Sequence, residues 1–228
     1  MRVEYRDRAA FLPDHDTLVV ADVHLGRDET SAVELRLGEH EDITGRVAAL
    51  CDRFAPEAVV VAGDLLHSFS TLPRGVMESL SALETTARDA GARAVVVRGN
   101  HDTMLDEVWD GPTATEYRVG DWVVCHGHEP PETEAAGYLV GHDHPAIEIE
   151  GQRRPCYLRG DGVYRDADLL MLPAFTPLAP GVVVNRMRAR DFQSPLVTDA
   201  DALRPVVRDA DGDETLTFPP LGKLRRLL

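Results

Sequence analysis

The sequence predicts an α/β fold, a β-sandwich of mixed sheets flanked by helices, and three observations carry that expectation. Five short apolar runs rich in β-branched residues occupy residues 18–21, 58–62, 94–97, 122–125 and 138–140. Each run leads into a polar cluster holding Asp, Asn or His. Between the first three runs, apolar residues switch to helical spacing. Continuous runs of this kind read as strands buried on both faces. Strand–helix–strand alternation implies parallel strands joined by right-handed crossovers.

Taken in order, the run at 18–21 opens onto Asp22-Val23-His24. Ile43, Val47, Leu50, Cys51 and Phe54 then share one helix face, closed by Pro56. The second strand meets Gly63-Asp64. Val76, Leu80, Leu83 and Ala87 form another helical stripe, with Met77 read as part of its core face and Gly91 where a C-terminal cap belongs. The third strand meets Gly99-Asn100-His101-Asp102. Beyond Gly111 the spacing tightens to strand-turn-strand, giving His126-Gly127-His128 and Gly141-His142-Asp143-His144, then further strands at 146–150, 169–172 and 182–185. Residues 186–228 are less periodic, and Asp199 to Glu214 reads as a solvated loop or edge segment. The expected organisation is one catalytic domain over residues 1–190, with residues 191–228 as a C-terminal extension packing on it or trailing from it.

Composition narrows the function classes. A chain of 228 residues can bury a core without disulfide staples. Cys51, Cys125 and Cys156 form no C-x-x-C pair, against both a zinc ribbon and a secreted disulfide framework. The first residues lack the basic-then-apolar layout of a signal peptide, and no apolar run approaches the ~20 residues that span a bilayer. A soluble, cytoplasmic protein is expected, with no membrane partner. The net charge is −15, and Lys223 is the only lysine among 24 basic residues. Surplus carboxylates with almost no lysine resemble halophilic proteins that stay solvated in concentrated salt. Coating duplex DNA requires many cations that displace counterions, so the charge argues against that role but not against gripping a few nucleotides through metals.

All five polar clusters should meet beyond the carboxyl ends of the strands, where open α/β sheets bind ligands. Their Asp, Asn and His side chains suit divalent ions such as Mn, Fe or Zn. The ordered set D-x-H, G-D, G-N-H-D, H-G-H, G-H-x-H resembles the calcineurin-like metallophosphoesterase superfamily over residues 18–145. The resemblance implies a metallophosphoesterase-type sandwich holding two divalent metal ions, manganese foremost, with Fe, Zn or Mg as alternatives. Asp22, His24 and His144 would hold the first ion, and Asn100, His126 and His142 the second, with Asp64 bridging. Alternation along an extended strand would send His142 and His144 to one face and Asp143 away. A hydroxide bridging the metals would attack phosphorus, and His101 would protonate the leaving group.

Many superfamily members place an Asp three positions after the bridging Asp. Here His67 stands there, which resembles the DNA-repair nuclease branch represented by bacterial SbcD and makes His67 a second catalytic candidate. Asp102 and His128 are expected just outside the ligands, Asp102 orienting an imidazole or capping a helix. The stretches Pro155–Leu158, Leu172–Phe175 and His126-Gly-His-Glu-Pro resemble a smaller set of SbcD-related phosphoesterases, including archaeal members and ligase-associated bacterial phosphodiesterases. The implied function is phosphodiester hydrolysis, as a nuclease or cyclic-nucleotide phosphodiesterase linked to DNA repair. Its substrates would be nucleotides or nucleic-acid ends, with a DNA-repair protein as a further partner. The alternatives are a phosphomonoesterase or nucleotide pyrophosphatase, or a non-catalytic scaffold binding a repair partner. None of the seven expected ligands is missing, which speaks against a scaffold. His15 and His40 are expected to be structural, Arg27 and Arg98 to form salt bridges, and Trp109 and Trp122 to pack in cores.

Overall fold

The chain begins with an antiparallel hairpin of β1 (Glu4–Arg6) and β2 (Ala9–Leu12), whose register pairs Arg6 with Ala9 across a two-residue turn. The hairpin extends a six-stranded sheet, ordered β1-β2-β3-β4-β5-β6, in which β3 (Thr17–Val20), β4 (Ala58–Ala62), β5 (Arg93–Val97) and β6 (Thr113–Ala114) run parallel. The computed structural model describes residues 1–27, 39–67, 73, 75–210 and 212–227; the side chains of residues 39–41, His40 among them, lie outside that description.

A seven-stranded sheet faces the first. Its strands are β7 (Tyr117–Val119), β8 (Trp122–Val124), β9 (Gly137–Val140), β12 (Tyr157–Tyr164), β13 (Ala167–Met171), β15 (Arg204–Asp209) and β16 (Glu214–Thr217), ordered β16-β15-β12-β13-β9-β8-β7. A small third sheet joins β10 (Pro145–Ile149), β11 (Gln152–Pro155) and β14 (Val182–Val183).

Alternation along the strands explains the layers. In β3 and just beyond, Val19 and Ala21 face Leu139, Leu170 and Leu172 of the second sheet, filling the space between the sheets. Leu18 and Val20 point the other way, onto helix α1 (Glu39–Phe54) and helix α2 (Val76–Asp89) through Ile43, Val47, Leu50, Leu80 and Leu83. The period of two in each strand thus feeds two cores at once. A third core covers the outer face of the seven-stranded sheet, where Tyr138, Leu158 and Leu169 meet Phe192, Leu196, Leu203 and Leu221. Trp109 and Trp122 pack in cores as expected.

Two expectations need correction. Met77 is 51% exposed; it sits about 100° round the helix from Val76, off the stripe formed by Val76 and Leu80. The acidic stretch from Asp199 to Glu214 is not simply solvated, since β15 within it lies between β12 and β16 and buries Pro205, Val206 and Val207. Its apolar run is too short, and too closely flanked by charge, to stand out by periodicity. Among the described residues, no helix is long and apolar enough to cross a membrane.

Candidate metal centre

The five polar clusters converge because backbone pairing continues past the strand ends. The amides of Asp22, His24 and Leu25 donate to the carbonyls of Gly63 (3.1 Å), Asp64 (2.9 Å) and Leu65 (2.9 Å). Gly141 N donates to His126 O at 3.0 Å, joining the two loops of the second sheet. Phe175 N donates to Ala21 O at 2.7 Å and links the sheets beside Asp22.

Five of the seven expected ligands adopt left-handed backbone: Asp22 (φ 54°), His24 (51°), Asp64 (51°), His142 (72°) and His144 (46°). Such non-glycine residues are uncommon, and Asp, Asn and His are the types most tolerant of that region. The turns aim the side chains inward at the moment each strand stops. Residues 142–144 therefore form a bend between β9 and β10, not an extended strand. The two imidazoles share a side through consecutive turns, which corrects the expectation from strand alternation. Asp143 does point away, where it is buried and accepts the amides of Gln193 (2.8 Å) and Ser194 (3.0 Å).

The glycines in the motifs make room for these carboxylates and rings. A Cβ on Gly99 would lie 2.2 Å from Asp64 Oδ1 and 2.3 Å from its amide nitrogen. One on Gly63 would lie 2.2 Å from His126 Nδ1.

The donors form two neighbouring sets. In the first, His144 Nε2 stands 3.2 Å from Asp22 Oδ1 and 3.2 Å from His24 Nε2. In the second, His126 Nε2 lies 3.0 Å from Asn100 Oδ1 and 3.2 Å from His142 Nδ1. Asp64 sits between them, with Oδ2 3.9 Å from His24 Nε2 and Oδ1 3.4 Å from His126 Nε2. Asp22, His24 and His144 bring ligand atoms within 4.8 Å of one another, as do Asp22, Asp64 and His126. His126 Nδ1–H donates to Ala62 O at 3.1 Å, leaving Nε2 as the ligating atom.

Electrostatics also favours bound cations. Burial and the neighbouring Asp22 push the Asp64 carboxyl up to about 8. Burial pushes His24 down to about 3 and His142 down to about 4. Neutral imidazoles are the form that binds metal, and a cation would draw the proton from Asp64. His24, His67 and His128 each keep a buried Nδ1 without a hydrogen-bond partner among the described residues. The donor set fits divalent metal ions.

His101 flanks the first set. Its Nδ1 lies 3.0 Å from the His67 carbonyl and its Nε2 3.9 Å from Asp64 Oδ2. The His67 ring stands parallel to it at 6.1 Å between centroids, and Nδ1 or Nε2 atoms of His24, His67 and His101 gather within 4.8 Å. His128 packs against His126 and His142, with centroids 5.1 and 6.0 Å away. Asp102 is spent on backbone rather than an imidazole, accepting the amides of Leu66 and Gly99 at 2.9 Å each. It ties the loops that carry Asp64 and Asn100. Arg98 pairs with Asp106, as expected of a surface arginine. Arg27 lies close enough to His67 to help lower its pKa, after burial. His15 is exposed beside Gly120 and away from the centre. Sequence reasoning missed the Asp143 contact to residues 193 and 194, because no pattern in either stretch announces it.

The donor set fits a metal-dependent phosphoesterase, a hydrolase, and the family match shows that class. A family model for the calcineurin-like phosphoesterases matches residues 15–178. The chain belongs to that family, whose members use divalent metals. Among solved structures, the crystal structure of Pseudomonas putida nuclease MPE has a similar fold, with a TM-score of 0.63, 24% identity and 88% of each chain covered. No curated protein matches the chain significantly.

Proposed function

We propose that this chain hydrolyses phosphodiester bonds with two divalent metal ions. Asp22, His24 and His144 would hold one, Asn100, His126 and His142 the other, and Asp64, between the two sets, would serve both. The observation that carries the reading is a symmetry of nitrogens about one carboxylate. His24 Nε2 meets His144 Nε2, and His126 Nε2 meets His142 Nδ1, each at 3.2 Å. Neutral imidazoles can share a proton across such a gap, but with a carboxylate beside each pair a cation is the better-matched partner.

When bound, a metal pair supplies an acidified water as nucleophile and neutralises charge on the phosphoryl oxygens. Manganese is the first ion to test, since carboxylate, amide and imidazole donors together suit it. The chain's own contribution to the leaving group is His101. Its Nδ1–H donates to the His67 carbonyl and its Nε2 stands 3.9 Å from Asp64 Oδ2, so Nε2 faces the metal centre; as the imidazolium, protonated on both nitrogens, it can give the Nε2 proton to the leaving oxygen and keep the one on Nδ1. That carbonyl occupies the orienting role that an Asp fills in other family members, and His67's ring lines the same wall.

The cleft beside His126 and His128, about 230 Å³, is also lined by Arg98, Glu116, Glu129 and Glu132. Its size and glutamates, with a net charge of −15, favour a short or single-stranded substrate over a coated duplex. Nucleic-acid ends, short RNA and cyclic nucleotides are the candidates. DNA ends, and a role in repair, come first in this reading, supported by the fold shared with a nuclease and by the resemblance to SbcD-related enzymes. The test compares manganese-loaded protein on bis-p-nitrophenyl phosphate and on the monoester. A faster diester rate is expected; a dominant monoester rate overturns diester specificity, and no hydrolysis across a broad panel favours a scaffold.

A further inference from the structure

A cavity of about 530 Å³ lies between the β1–β2 turn, helix α1 and the ends of β12 and β15 in the seven-stranded sheet. In a chain of net charge −15 it gathers five arginines: Arg6, Arg8, Arg46, Arg53 and Arg208. Asp7, Asp42 and Asp213 are the carboxylates that pair with them, and Asp213 serves both Arg6 and Arg208. Arg46 is fully engaged, bonded to Asp7 and to Phe175 O with its guanidinium 4.0 Å from the Phe175 ring centroid. The others are not.

Among the described residues, Arg8 donates only to the carbonyls of Ala174 (3.3 Å) and Thr176 (2.6 Å). Arg208 is largely buried, and its Nε has no partner among the described residues. Arg53 is exposed on α1 and has no carboxylate partner among the described residues. Burial and the nearby Arg46 lower the Arg8 pKa, as expected where cations are crowded without enough anions. Leu50, Pro155 and Pro173 add apolar wall.

We propose that this cavity binds a nucleoside monophosphate, with its phosphate among Arg8, Arg53 and Arg208 and its nucleoside against Leu50, Pro155 and Pro173. Guanidinium forks match phosphate oxygens and stack on flat ring systems. The volume falls in the range of small-molecule pockets, about 300–1,000 Å³, and exceeds what inorganic phosphate fills. The site is separate from the metal centre, since none of the seven proposed ligands lines it. The segment 173–176 lies between the two: Arg8 and Arg46 hold its carbonyls, while the amide of Phe175 bonds Ala21 O.

The test titrates metal-loaded protein calorimetrically with a phosphonate analogue of AMP, whose C–P bond resists hydrolysis, and soaks the analogue into crystals. The expected result is a dissociation constant of about 10–100 μM, with density in the arginine cavity. Arg53→Glu should weaken binding about tenfold or more, the loss of one charge-assisted contact, while hydrolysis of bis-p-nitrophenyl phosphate is unchanged. Arg53→Lys should weaken it less. Density only at the metal centre, or equal affinity in wild type and Arg53→Glu, overturns the proposal. Inorganic phosphate binding as tightly as the analogue would overturn the nucleoside part of it.

Discussion

At Asp64 two demands meet, burial and charge. The carboxyl is held at about 8 by its surroundings, beside imidazoles kept neutral. At about pH 7 the metal-free group therefore carries a proton that metal must displace, and at about pH 9 it does not. Proton release on manganese binding should fall by about one proton between those pH values, read by calorimetry in buffers of different ionisation enthalpy. An unchanged count would contradict the pKa assigned to Asp64. Asp64→Ala should lose metal and activity together, whereas His101→Ala should keep its metal and turn over ~10²–10⁴-fold more slowly. Metal analysis alongside turnover separates the two, and normal turnover by the His101 variant would remove its assigned role. The convergence of the seven expected ligands was legible in the sequence because metal chemistry favours few residue types and each stands just past a strand-like run. The task of Asp102 was not, since a carboxylate bonding backbone amides 36 and 3 residues away leaves no local signature.

Among the elements, the strands of the parallel half were readable as continuous β-branched runs. What the runs could not show was their division between two sheets, β3 to β5 in one and β8 and β9 in the other. Both sheets deliver their loops to one edge, so the site came out the same under either arrangement. The opening hairpin was missed because β1 and β2 are only three and four residues long, and β15 because its apolar run is flanked by charged residues. The loop after β5 offers a sharp test of the motif's geometry. Gly99→Ala puts a methyl 2.3 Å from the Asp64 amide nitrogen, a backbone atom that cannot swing aside. The variant should lose roughly 1–3 kcal/mol of stability, typical of overpacking, and bind metal more weakly. Denaturant melts with metal titrations check both, and wild-type metal affinity would show that the contact is not needed to position Asp64.

For the whole molecule, the C-terminal segment is part of the structure that supports the site. Phe192, Leu196, Leu203 and Leu221 close the third core, and β15 and β16 complete the seven-stranded sheet. Asp143 joins that segment to the loop between His142 and His144. Truncation after residue 190 should therefore leave a chain that aggregates or fails to melt cooperatively; a soluble, cooperative, metal-binding fragment would contradict this. Acidic surface residues hid the segment's contribution, because its buried positions are scattered rather than periodic. The most direct measurement of the central claim is anomalous diffraction at the manganese edge from crystals grown with the metal. Two peaks about 3.5–4 Å apart are predicted, one among Asp22, His24 and His144, the other among Asn100, His126 and His142, with Asp64 touching both. A single peak, or peaks that Asp64 does not join, would contradict it.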